Sequence, residues 1–161
     1  MENYRIKYIF DTSVLIAAVL GLHPKHSECF EWLRKVKNGQ VNAALSSHTL
    51  LEIYAVLTGL PINPKISPGI ALRIIRHNII NNFKIITYSY EDYENVLIKL
   101  NSRGITGGSS YDGLIFYAFE KFGADCLLTL NRKDFIRINP DKEGNIIEPG
   151  MSTNNFNREV H

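Results

Sequence analysis

The chain has 161 residues, 45% of them apolar and 21% charged, which fits one soluble globular domain with a full-sized core. Its formal net charge of +2 and pI near 8.5 are mildly basic, a balance that admits an anionic partner such as nucleic acid without requiring one. The N-terminus MENYRIKYIF is too short and polar for a signal peptide, and no apolar run reaches membrane-spanning length, so we expect a cytoplasmic protein.

Residues 5–10, RIKYIF, read as a β-strand ending at Asp11. DTSVLIAAVLG follows as a helix, with Asp, Thr and Ser available for capping and Gly21 as its stop. HPKHSECFEWLRKVKNG carries Cys29, Phe30, Leu33 and Val36 at helical spacing, and Gly39 closes it. QVNAALS is a strand and SSHTLLEIYAVLTG a third helix. LPINPKISPG has three prolines in ten residues and is a loop within the domain. IALRIIRHNIINNF is a helix, KIITYS a strand, and YEDYENVLIKLNSRG an amphipathic helix with Tyr93, Val96, Leu97 and Leu100 on one side. GITGGSS connects to the apolar helix that starts SSYDGLIFYAF; ADCLLTL is a strand, and NRKDFIRI follows it. Strands and helices alternate throughout, which argues for an α/β fold around a mostly parallel sheet. We expect a single domain over residues 1–149 and a polar, flexible tail over 150–161. Cys29 and Cys126 lie singly in apolar patterns and are expected to be buried, reduced thiols; with no CxxC or HExxH spacing, a zinc site has no support.

In such folds the site lies beyond the carboxyl ends of the strands, and acidic residues recur there. Asp11 follows the first strand, and Asp134 comes shortly after ADCLLTL. Asp112 stands in the first turn of an apolar helix, and Glu52 stands within HTLLEIYAVL. Each has a local explanation. Asp11 could cap a helix, Asp112 could favour the positive end of its helix dipole, Thr49 and Glu52 match a capping box, and Asp134 could be a turn residue. Jointly they are harder to explain locally. Ionised carboxylates on apolar helices are costly unless paired or bound to metal, and Glu52 and Asp112 have no lysine or arginine one turn away. Carboxylates brought together repel, and hard oxygen ligands suit Mg²⁺ or Mn²⁺. Acidic clusters of that kind run phosphoryl chemistry with one or two ions.

DTSVLIAAV near the start, LLEIYAVL in the middle and GITGGSSYDGLIFYAFEKFGADCLLTLNRKDF near the end together resemble the PIN-domain ribonucleases. Within that family the resemblance is greatest to the VapC-type toxin nucleases of prokaryotic toxin–antitoxin pairs, and it spans roughly residues 6–138. DTSVL alone is a weak signal, whereas the block from Gly104 to Phe135 is strong. The resemblance implies a three-layer α/β/α domain with a central sheet of four to five strands. It places the acidic residues at Asp11, Glu52, Asp112 and Asp134, surrounded by Thr12, Ser13, Thr129 and Asn131. Some members carry an aspartate where Asn131 stands. It further implies a Mg²⁺- or Mn²⁺-dependent endoribonuclease that hydrolyses RNA phosphodiesters, works as a homodimer and is silenced by a partner antitoxin.

Phosphate contacts are expected from Arg132, Lys133 and Arg137. Lys25, Arg34, Lys35, Lys37, Arg73 and Arg76 read instead as solvated helix faces. No interleaving of aromatic and basic residues marks a base-stacking platform, so the chain reads as an RNA-backbone binder. Two other classes remain to be weighed. A non-catalytic PIN-like module would lack one of the acidic residues, and all four are present. A haloacid-dehalogenase-like phosphatase needs an aspartate where Ser13 stands, and a dinucleotide-binding fold needs a GxGxxG that is missing.

Overall fold

Period-two alternation within the strands decides which layer each helix joins. The computed structural model describes residues 5–151. Its strands are β1 (Lys7–Phe10), β2 (Asn42–Ser46), β3 (Lys84–Ile86), β4 (Cys126–Leu128) and β5 (Ile146–Ile147). All pair in parallel, in the order β3-β2-β1-β4-β5. Tyr8, Phe10, Ala43, Leu45, Cys126 and Leu128 face one side of the sheet. There they meet α1 (Thr12–Val19), α2 (His26–Lys37), α3 (His48–Gly59) and α4 (Pro68–Ile75). Ile9, Ala44, Ile86 and Leu127 face the other side, against α6 (Ser109–Phe122) and α7 (Arg132–Ile138). Because a strand's side chains point alternately to opposite faces, apolar residues in succession demand a helical layer on both. The expected three-layer α/β/α architecture with a parallel sheet is what forms.

Local boundaries differ from the pattern reading where pairing or capping overrides it. The helix expected from Ser46 starts at His48, because Ser46 is still paired with Ile86 in the sheet. KIITYS is a strand only through Ile86. α4 starts two residues before the expected IALRII, at Pro68, where Ser67 accepts a hydrogen bond from the Ile70 amide; it then loosens into a π-helical turn over Arg76–Ile80. β5 has only two residues and follows a 3₁₀ turn (Pro140–Asn145), too short for any periodicity to announce it. The domain expected over 1–149 begins, and the tail expected over 150–161 ends, outside the described residues. Cys29 and Cys126 are buried and unpaired, and no described helix is long and apolar enough to cross a membrane.

The apolar side assigned to α5 (Tyr90–Ser102) needs correcting. Val96 and Leu100 are buried, but Tyr93 and Leu97 are 46% and 64% exposed. Val96 and Leu100 of α5 pack with Leu114 of α6, and Asp92 and Lys99 of α5 bond to Tyr117, Lys121 and Glu120 of that helix. Gly113 sets the apolar contact, since a Cβ there would stand 2.6 Å from Leu100 Cδ2. An alanine could be accommodated by a swing of Leu100, offset by the better helix propensity of alanine. Gly113→Val is expected to push α5 outward and lower stability by about 1–3 kcal/mol, read as a fall in the urea midpoint.

Candidate active site

β1, β2 and β4 lie side by side, so their carboxyl ends bring three chain segments to one edge. After β1 the chain builds outward through β2 and β3, then returns to place β4 on the other side of β1. The reversal of strand order between β1 and β4 is where an open α/β sheet leaves a crevice. Asp11 stands at the end of β1 with its amide bonded to Leu128 O (2.9 Å), and Thr129 stands at the end of β4.

Asp11 is 4% exposed and does not cap α1 with its side chain. Its Oδ2 instead accepts from Ser13 Oγ (2.6 Å) and from Thr129 Oγ1 (2.8 Å). Those hydroxyls are themselves fixed: Ser13 Oγ accepts from the Leu130 amide (3.1 Å), and Thr129 Oγ1 from the Asn131 amide (2.9 Å). Burial pushes the Asp11 pKa upward, the hydroxyls and the Thr12 amide pull it back, and Glu52 raises it again. The Thr12 side chain bonds elsewhere. Its Oγ1 donates to Thr49 Oγ1 (3.1 Å), joining α1 to the helix that carries Glu52.

The capping box that was the local alternative for Glu52 does not form, because α3 starts at His48 and Glu52 lies beyond its first turn. Glu52 faces His48, four residues earlier. His48 Nε2 is 2.7 Å from Glu52 Oε1, within ion-pair range. The contact lacks hydrogen-bond direction, and both atoms are shielded from solvent without another partner. Asp112 is half-buried in the first turn of α6, with its pKa raised from 3.8 to about 6. Burial is the main cause; Asp11, Asp134 and Glu52 each add to it, and Arg137 opposes them. Asp134 lies exposed in the first turn of α7, and Asn131 precedes that helix with its side chain uncommitted to capping.

Asp112 therefore feels the charge of each of the other three expected carboxylates, and Asp11 that of Glu52. The donors suit a hard divalent cation: they are oxygens carrying more negative charge than Arg137 can balance. Among the described residues, no three His, Cys, Asp or Glu side chains converge tightly enough to enclose an ion as they stand.

A family model described as the PIN domain matches residues 7–133. The chain belongs to the PIN-domain family. Among its relatives, Ribonuclease VapC27 of Mycobacterium tuberculosis is 30% identical over 115 residues, covering 71% of this chain and 78% of the relative. Ribonuclease VapC40 of the same species is 28% identical over 117 residues, covering 73% and 81%. A toxin–antitoxin complex from Klebsiella pneumoniae has a chain that superposes with a TM-score of 0.61 at 20% identity, covering 88% of this chain and 97% of that one. VapBC2 from Rickettsia felis, bound to a DNA fragment from its promoter, superposes at 0.57 and 23% identity, covering 89% and 97%. At these identities the structural likeness establishes the fold.

Within this PIN domain the cations sort differently from the sequence reading. Arg132 was expected to contact phosphate, but its guanidinium is committed inside the chain. Nε donates to Ile146 O (2.9 Å), and Nη2 reaches Glu143 O (3.2 Å) and Oε1 (3.4 Å), tying β5 to α7. Arg132→Ala should cost about 1 kcal/mol of stability, measured by thermal melting. Lys133 and Arg137 are exposed, and Arg137 Nη2 donates to Ser109 Oγ (2.9 Å) at the start of the Asp112 helix. On α2, Lys25 and Arg34 pair with Glu28 and Glu31, as expected of a solvated face.

His48 is the residue that sequence reasoning missed. Its spacing from Glu52 is the ordinary i,i+4 relation of a helix, but only lysine and arginine were weighed as partners for the carboxylate.

Proposed function

We propose that this PIN domain is an endoribonuclease that hydrolyses RNA phosphodiester bonds with Mg²⁺ or Mn²⁺, and that it is the toxin of a toxin–antitoxin pair. The observation that carries the reading is the gathering of Asp11 at the end of β1, Glu52 on α3, Asp112 at the start of α6 and Asp134 on α7, near enough that, after burial, the other three each raise the Asp112 pKa. Relatives named as ribonucleases support the substrate class, and neighbours solved as toxin–antitoxin complexes support a protein partner. Asp11, Glu52, Asp112 and Asp134 would hold the cation. When bound, it supplies charge neutralisation and Lewis acidity toward a phosphodiester.

The chain's own residues do the rest. Ser13 and Thr129 hold Asp11 in one orientation and oppose the upward push that burial gives its pKa. His48 stands against Glu52 and restrains it. Arg137, exposed beside the Asp112 helix, offers a guanidinium to the RNA backbone, and Lys133 a second charge. Val56 on α3 and Ile70 and Leu72 on the adjacent α4 are exposed apolar side chains, of the kind a second copy or the antitoxin would cover.

The test is cleavage of a structured RNA by the purified chain. Cleavage with Mg²⁺ or Mn²⁺, stopped by chelator and restored by the cation, supports the reading. Absence of cleavage under both cations overturns it. Sedimentation of the free chain checks the homodimer, and co-purification of the chain with a small protein encoded beside it checks the antitoxin.

A further inference from the structure

We propose that the recess lined by His48, Leu51, Glu52, Ala55 and Tyr111 is a nucleobase subsite, in which an unpaired base flanking the scissile phosphate stacks on Tyr111. The inference rests on the ribonuclease reading and deepens it by naming what the enzyme contacts besides the RNA backbone.

Tyr111 is 60% exposed and directly precedes Asp112, while Leu51 is 73% exposed and directly precedes Glu52. Two large side chains thus stand on the surface in the one recess that Glu52 lines, where a folded chain gains nothing from leaving them. One face of the Tyr111 ring is backed by the His48 imidazole, with centroids 6.0 Å apart and planes within 26°. That backing is rigid. His48 Nδ1 is bonded to Ser46 Oγ and its Nε2 abuts Glu52. Ser46 Oγ is in turn 2.5 Å from Tyr88 Oη, which also lies 3.1 Å from Leu114 O on α6. The chain of contacts ties both helices to the sheet end and gives a stacking surface already formed before RNA arrives, so little side-chain entropy is lost on binding.

The chemistry of the recess selects a base over a phosphate. Its walls are mostly carbon, and the charged group among them is the Glu52 carboxylate, which repels an anion. What single-stranded RNA presents to such a surface is the flat π-face of a base. The recess measures about 380 Å³, at the small end of ligand pockets. Because Glu52 is both a wall of the recess and a member of the acidic centre, a phosphate seated at that centre through the proposed cation would have its neighbouring nucleoside beside Tyr111. No alternation of aromatic and basic residues signals this in the sequence; the platform is assembled from α3 and α6 across the site.

The experiment uses a single-stranded RNA oligonucleotide containing the mapped cleavage site, and a copy lacking one base beside the cleaved bond, on either side in turn. On intact RNA, Tyr111→Ala should lower kcat/KM about 5- to 100-fold through KM, whereas Tyr111→Phe, which keeps the ring, should stay near wild type. For one of the two abasic RNAs, the wild type should fall to the level of the alanine variant, with no further loss in that variant. With 2-aminopurine at the same nucleotide, binding to the non-cleaving Asp112→Asn protein should quench its fluorescence, and adding Tyr111→Ala should abolish the quench. Tyr90→Ala, at a 77% exposed tyrosine on α5, should change nothing. Wild-type kinetics in folded Tyr111→Ala, or independent losses from the missing base and the missing ring, would overturn the subsite. If that variant instead weakens only antitoxin binding, the recess belongs to the protein partner. If the wild type cleaves no RNA, the ribonuclease reading falls first and takes the subsite with it.

Discussion

Asp112→Asn should reduce RNA cleavage by roughly a hundred- to a thousand-fold while making the cation-free protein more stable at neutral pH. The two effects share one cause. In the folded chain Asp112 titrates near 6 rather than 3.8, because it is partly buried among Asp11, Asp134 and Glu52. Below about pH 4 the carboxyl is protonated whether the chain is folded or not, and its environment costs nothing. As the pH rises the unfolded chain releases the proton first, so stability drains between about pH 4 and 6 and the full deficit stands above it. After allowance for solvent screening the deficit is about 1–2 kcal/mol. An amide carries no charge and escapes it. Thermal melts from pH 4 to 8 should therefore show the wild type losing Tm relative to the variant across that window. Mg²⁺ or Mn²⁺ should then raise the wild-type Tm and leave the variant nearly unmoved, since an ion stabilises only the state that binds it. A variant that cleaves at the wild-type rate, or melts in parallel with it at every pH, would remove Asp112 from the site.

Much of this arrangement was legible in the chain before any coordinates. Period-two apolar strands bounded by helices lead to a parallel sheet with two helical layers, and the acidic residues stood where strands or helices meet its carboxyl edge. What escaped had too little local signal. β5 is two residues long, and its place in the sheet is set by Leu128, Ile147 and the Arg132 guanidinium rather than by a pattern of its own. On α5 the spacing of Tyr93, Val96, Leu97 and Leu100 marks a face but not its width, and a helix packed through one glycine buries only part of it. The contact of His48 with Glu52 is encoded locally, four residues apart, yet its stack on Tyr111 joins residues far apart in the chain. Periodicity reports which face a residue takes; it is silent on what that face meets.

The Asp11 hydroxyls offer the second large effect. Thr129 is wholly buried, and its Oγ1 donates to Asp11 Oδ2 while accepting from the Asn131 amide. Thr129→Val keeps the shape, replaces the hydroxyl with a methyl, and leaves a buried carboxylate and an amide each short of a partner. Hydrogen bonds to a charged group contribute about 1.5–3 kcal/mol, so a loss of that order is expected in chemical denaturation at pH 7. The loss should shrink in acid, where Asp11 is protonated and asks less of its donors. With one lowering influence gone, the Asp11 pKa moves further up than burial already places it. The acid limb of the pH–rate profile should therefore shift toward alkaline pH, with activity partly recovered as the pH is raised. Ser13→Ala should do the same through its 2.6 Å contact with the same oxygen, and the double variant should lose less than the sum because one carboxylate is shared. A variant that loses stability but keeps the wild-type profile would show that Thr129 only packs; a shifted profile shows that it holds the charge on Asp11.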